Sequence, residues 1–121
     1  MLVKTYGSSV YGINATKITV EVNIVSGFGF FLVGLPDSAV KESQHRIESA
    51  LGAYNHKVPG RKVVINMAPA DIRKEGSAYD LTLAIGILSA NEQMSSENIS
   101  KYVIMGELSL DGTLQPVRGI L

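Results

Sequence analysis

The chain has 121 residues, which holds one domain with a genuine core and leaves no room for two. With 45% apolar and 18% charged residues it is not a disordered chain, and without cysteine it has no disulfide, thiolate metal site or cysteine nucleophile. Eleven basic residues balance eleven acidic ones, so composition implies no broad electropositive field for nucleic acid.

The N-terminal run Met1–Tyr6 soon turns polar and lacks a signal-peptide core. The longest mainly apolar stretch, Leu81–Leu88, is far short of a membrane span. A soluble, cytoplasmic protein with no membrane partner is expected. Val3–Val10 reads as a strand and Tyr11-Gly12-Ile13-Asn14 as a turn. From Lys17 to Val25, Ile18, Val20, Val22 and Ile24 share one face while Lys17, Thr19, Glu21 and Asn23 share the other. Ser26-Gly27 is turn material, and Phe28–Val33 is a strand that opens a meander or hairpin. The cluster Gly27-Phe28-Gly29-Phe30-Phe31 reads as core filling with an edge bulge, or as an interface patch.

Gly34-Leu35-Pro36-Asp37-Ser38 ends that strand and starts a helix, with Asp37 or Ser38 as N-cap. Val40, Ile47, Leu51 and Tyr54 fall on one helical face, and Asn55 with Pro59-Gly60 closes the helix. Arg61–Met67 is a central strand by its contiguous Val63-Val64-Ile65. Leu81–Leu88 is too apolar all round for a surface helix and is expected between the sheet and another layer, with Gly86 allowing close packing. A short helix around Glu97–Lys101, a strand Val103–Met105 and a hairpin Leu108–Val117 follow. Asp111-Gly112 there suits a type I′ turn, and Pro116 an edge. The predicted fold class is α+β, a two-layer sandwich.

The junction Asn66–Leu81 is the candidate site, because a strand, a polar loop and a helix start can converge N–H groups on an anion or oxyanion. Ser77 is its one nucleophile candidate, with Lys74 three residues earlier. A Ser–Lys dyad needs a neutral, desolvated amine within reach of the hydroxyl, which a polar-loop lysine does not readily supply. Ser77 also reads as an N-cap, with Asp80 at N3 completing a Ser-x-x-Asp pattern and Lys74, Glu75 and Gly76 as loop residues. Asp71, Glu75 and Asp80 are oxygen donors of the kind a hard cation takes, but Arg73, Lys74 and the cap account for them and no metal site is assigned. His45 and His56 lack a zinc-spaced second pair and read as surface residues. Lys57, Arg61 and Lys62 are a solvated loop or a phosphate contact. No G-x-x-x-x-G-K-[ST] loop occurs, so this chain carries no recognisable P-loop and no cofactor is assigned to it.

Several ordered blocks carry a resemblance: Thr19-Val20-Glu21-Val22, Phe31–Ser43, Asn66–Gly76, Tyr79-Asp80-Leu81, Met105–Gly112 and Pro116–Gly119. Together they resemble the N-terminal domain of the ComM/YifB-type, magnesium-chelatase-like AAA+ ATPases. The resemblance implies a ribosomal protein S5 domain 2-like, Lon proteolytic-domain-like fold over residues 1–121. It also implies a following ATPase module that binds ATP and Mg²⁺, assembly into a homo-oligomeric ring, and action on branched or single-stranded DNA in recombination and natural transformation. The close at Gly119-Ile120-Leu121, directly after a strand-like segment, fits an excerpt of such a longer protein. Lon proteases carry their nucleophile in a Pro-Lys-Asp-Gly-Pro-Ser-Ala-Gly loop. Laid ungapped on it, Lys74 and Gly76 match the Lys and first Gly, Glu75 stands for the Asp, Ser77 falls on the Pro and Ala78 on the catalytic Ser. The resemblance thus implies a non-catalytic accessory domain. The alternatives are a Lon-like Ser–Lys peptidase using Ser77 and an independent nucleic-acid-binding module.

Overall fold

The computed structural model describes residues 2–11, 14–53, 61–92 and 97–115. The alternation of β2 (Asn14–Val25) turns Ile18, Val20, Val22 and Ile24 into the core. β1 (Leu2–Tyr11) pairs antiparallel with it, Thr5 opposite Val20. The four-stranded sheet runs β1-β2-β4-β3, with β3 at Gly29–Val33 and β4 at Lys62–Ala68. β4 is central, as its apolar run predicts, but only Val63, Ile65 and Met67 are buried, while Val64 lies on the opposite, half-exposed face.

The expected hairpin between β2 and β3 does not form. β3 pairs parallel with β4, which is itself antiparallel to β2. The arms leaving Ser26 therefore splay by one strand width, and β4 fills the gap. Parallel neighbours need a crossover, which α1 (Ser38–Lys41) and α2 (Ser43–Ala53) supply. They are two short helices where one was expected. Asp37 caps α1 as the sequence predicts, its Oδ1 accepting the Val40 N–H at 2.8 Å. Val40, Ile47, Ala50 and Leu51 join the core. Tyr54, Asn55, His56, Lys57, Pro59 and Gly60, with the readings placed on them, lie outside the described residues, as do Gly12, Ile13 and Pro116–Gly119.

α3 (Asp80–Ala90) packs on β1 and β2 and also meets α2 and the segment Glu107–Leu108, the buried setting that its composition requires. A Cβ on Gly86 would stand 2.6 Å from Val22 Cγ2, so this glycine sets the helix–sheet approach. Ser77 does not cap the helix. Tyr79 holds the N-cap position with no side-chain cap, and Ser77 gives only its carbonyl to the Asp80 N–H, at 3.2 Å. Tertiary partners replace the cap: Leu81 N–H donates to Gly106 O at 3.0 Å, and the Asp80 carboxylate is drawn elsewhere.

Val103–Met105 forms no strand ladder. Ile104 N–H instead donates to Tyr6 O at 2.7 Å along the edge of β1, after a 3-10 turn at Ile99–Lys101. β5 (Glu107–Leu108) and β6 (Leu114–Gln115) make the expected hairpin, but its turn is not type I′. Only Gly112 has positive φ (89°), Gly112 N–H donates to Ser109 O at 2.9 Å and Ser109 N–H to Thr113 O at 2.8 Å. That is the longer loop with a glycine bulge.

Replacing Gly86 by Ala should lower stability by about 1–3 kcal/mol in a urea titration, because stiff, buried Val22 cannot step aside. Combining it with Val22→Ala should recover part of its cost, a positive coupling between the two sites.

Candidate functional site

At the end of β3 the chain must pass close to the end of β4. Gly34, at φ 104°, permits this, since a Cβ there would stand 2.1 Å from Met67 O. From that crossing, Leu35–Asp37 runs beside the loop that follows β4. Lys74 N–H donates to Leu35 O at 3.0 Å, and Asp37 N–H donates to Lys74 O at 2.9 Å. Lys74 turns its side chain inward and is fully buried, its Nζ donating to Gly34 O at 2.6 Å and to Pro69 O. Asp37 completes the strap. Its Oδ2 accepts the Gly76 N–H at 3.0 Å while its Oδ1 caps α1.

This arrangement holds backbone and does not present a nucleophile. Burial pulls the Lys74 amine below the ordinary lysine value of 10.5, against the opposing charge of Asp71. A depressed amine suits a general base only if its lone pair faces a hydroxyl. Here Nζ donates to two carbonyls, and among the described residues no hydrogen bond joins it to Ser77. The loop's acids do not converge either. Glu75 is exposed and pairs with Arg73 at 3.3 Å, Asp71 is exposed, and Asp80 is buried away from both.

Asp80 anchors a second cluster, which the helical pattern hides. Arg46 Nε donates to Oδ2 at 2.6 Å and Arg46 Nη2 to Oδ1 at 2.9 Å, a bidentate pair. Ser43 Oγ donates to Oδ1 at 2.6 Å, and the Leu108 N–H to Oδ2 at 3.0 Å. Arg46 Nη2 also reaches Ala39 O at 2.8 Å. One carboxylate thus joins α2, α3 and β5, and through Arg46 also α1. The hydrogen bond to Asp80 raises the Arg46 pKa above its ordinary value, against burial. The helical pattern leaves Arg46 on the polar remainder beside the Val40, Ile47 and Leu51 face and gives Ser43 no role. The spacing of three residues between Ser43 and Arg46 was the available signal, and it does not name Asp80 as the partner.

Of the predicted basic residues, Arg61 is exposed, and Lys62 opens β4 with its Nζ 5.3 Å from the Phe31 ring centre. Lys57 lies outside the described residues. His45 is exposed on α2. No helix among the described residues is long and apolar enough to cross a membrane.

Asp80→Asn should cost about 3–5 kcal/mol in denaturant unfolding, because it removes the buried counter-charge of Arg46 and leaves only the exposed Glu42 at 3.6 Å. A paired apolar replacement, Arg46→Met with Asp80→Leu, should recover most of the loss. Lys74 predicts a pH dependence. Its folded pKa lies below 10.5, so the unfolded chain binds more protons between the two values. Stability relative to Lys74→Met should therefore rise with pH through that interval and level off above it. Unfolding titrations of both proteins from about pH 7 to about pH 11 check the sign, and the comparison cancels Tyr79, whose pKa is raised by burial.

The model of the family "Subunit ChlI of Mg-chelatase" matches residues 20–121. The uncharacterized protein YifB of Escherichia coli (strain K12) is 45% identical over 111 residues, 91% of this chain and 22% of that protein. Competence protein ComM of Haemophilus influenzae is 41% identical over 117 residues, 96% of this chain and 23% of ComM. Lon protease 1 of Sorangium cellulosum is 30% identical over 110 residues, 84% of this chain and 13% of the protease. The chain thus spans less than a quarter of the length of these relatives. By the match over residues 20–121, the chain belongs to the Mg-chelatase subunit ChlI family, and it aligns with YifB and ComM along most of its length.

Proposed function

We propose that this chain is a non-catalytic accessory domain of a magnesium-chelatase-like AAA+ ATPase of ComM type. In this reading it has the ribosomal protein S5 domain 2-like, Lon proteolytic-domain-like fold, which the likeness to Lon protease 1 supports. ATP and Mg²⁺ belong to an ATPase module outside the chain. The complete protein assembles as a cytoplasmic homo-oligomeric ring and processes branched or single-stranded DNA in recombination and natural transformation. The observation that carries the non-catalytic part is the strap: Lys74 donates to Gly34 O and Pro69 O, and Asp37 holds Gly76 N–H and Val40 N–H. The Lys74 amine and the Asp37 carboxylate are thereby engaged with backbone. A catalytic loop needs those groups turned toward a substrate.

The test compares the complete protein with a variant lacking residues 1–121, reading ring size and affinity for a branched DNA junction. At least one should change, and identical values for both would contradict an accessory role. The Lon-like peptidase reading has the likeness to Lon protease 1 and the lowered Lys74 amine in its favour. It predicts labelling of Ser77 by a serine-reactive probe and loss of activity in Ser77→Ala. The accessory-domain reading expects no labelling and an unaltered Ser77→Ala protein.

A further inference from the structure

The helices lie on one side of the four-stranded sheet, and among the described residues no α-helix covers the other side. On this open face, strand alternation displays Lys4 and Tyr6 of β1, Lys17 and Glu21 of β2, Lys62 of β4 and Phe31 of β3. Its charge is not that of the whole chain. Three lysines stand against one glutamate, whereas the chain balances eleven against eleven. Glu21 is partly engaged, its carboxylate accepting from Asn66 Nδ2 at 2.9 Å. The other ten acids, eleven less Glu21, sit in helices, loops or the small hairpin.

Two of the lysines lie over aromatic rings. Lys17 Nζ is 4.7 Å from the Tyr6 ring centre and Lys62 Nζ is 5.3 Å from that of Phe31, which is 46% exposed on an edge strand. The register puts Tyr6 in the row of Thr19 and Ala68, and Phe31 in the row of Val64 and Asn23. Those rows are four residues apart along β2, and the rings are three strands apart. At about 3.4 Å per residue and 4.8 Å per strand, the rings stand roughly 20 Å apart on a diagonal. The ground between them is mixed: Thr19, Glu21, Asn23 and Asn66 are polar, while Val64 and the exposed Val33 adjoin Phe31 and Ala68 adjoins Thr19.

We propose that this open sheet face binds single-stranded nucleic acid, with Tyr6 and Phe31 stacking on bases and Lys17 and Lys62 meeting the phosphates beside them. The ligand's chemistry follows from the charge of the face and from the pairing of each ring with a lysine. Three lysines against one glutamate favour an anion, and Lys17 and Lys62 stand beside the two rings. A duplex hides its base faces, whereas unpaired bases offer a π-face to each ring and a charge to each lysine. A diagonal of this length fits a strand of several nucleotides, beyond the reach of a mononucleotide. The proposal deepens the DNA-processing reading above and depends on it for a biological setting.

The chain contains no tryptophan, so Phe31→Trp gives a single fluorescent reporter on the proposed platform. Titration with an oligothymidylate of about 15 nucleotides should quench it, as base stacking does. In an anisotropy titration with the labelled oligonucleotide, Tyr6→Leu and Phe31→Leu should each weaken binding about 5- to 100-fold while retaining apolar bulk. Lys17→Gln with Lys62→Gln should reduce the slope of log affinity against log salt by about 1.4. Arg73→Gln, an exposed cation of the loop after β4, should leave binding unchanged. The proposal is overturned if Phe31→Trp is not quenched, if the leucine variants bind as the parent does, or if Arg73→Gln loses as much. Absence of quenching, with Phe31→Leu instead disrupting assembly of the complete protein, would overturn it too and mark the face as a protein contact. Failure here with an altered ring in the deletion experiment leaves the accessory role standing. Quenching with no effect of the deletion removes that role and leaves this site.

Discussion

The rest of the structure depends on the pairing of Leu35–Asp37 with the segment around Lys74. It adds to the short β3–β4 ladder a second link between the ends of those strands, and it fixes where the chain enters α1. Gly34 permits the close approach, Lys74 bridges the two sides from within, and Asp37 fixes both the loop and the first turn of α1. A buried ammonium is costly to desolvate, and it persists here because backbone carbonyls replace part of its hydration. A basic residue in a strand–loop–helix junction invites a catalytic reading. The orientation of its amine gives it a mechanical one.

Asp80 extends the same logic to the other layer. Its carboxylate meets two donor atoms of Arg46, the Ser43 hydroxyl and the Leu108 N–H, so α3 is oriented by tertiary contacts rather than by a local cap. The two clusters are linked through α1: Asp37 caps it and Arg46 holds Ala39 O near its start. Strap and carboxylate cluster therefore act on one framework, which brings the motif around Asp37 and the motif around Asp80 to the same side of the sheet. Among the described residues no helix covers the opposite face, where half-buried Tyr6, exposed Phe31 and the lysines of β1, β2 and β4 lie.

Much of this was legible in the residues. Alternation marked β2, the contiguous apolar run marked β4 as central, Asp37 announced its cap, and the unbroken apolarity of Leu81–Leu88 marked α3 as a buried helix. Long-range pairing was not legible. Nothing local in Phe30–Val33 distinguishes an antiparallel partner from a parallel one, and the short Ser26–Phe28 link argued for the wrong choice. Lys74 reads as a solvated loop residue because its acceptors are backbone atoms with no sequence signature. Arg46 and Asp80 are 34 positions apart, beyond any helical period. Ser77 had the spacing of a cap, but the Gly106 carbonyl takes the Leu81 N–H and Ser77 offers Asp80 only its own carbonyl.

The central claim is that the loop after β4 is a structural strap of the core. Native-state hydrogen exchange at the amides of Asp37, Lys74 and Gly76 tests it most directly, since those three N–H groups make the strap's bonds. The account predicts that they exchange only through the same large opening as the β4 amides, with matching free energies. Exchange of all three through a low-energy local opening, while β4 stays protected, would contradict it and return the loop to the status of a mobile functional segment.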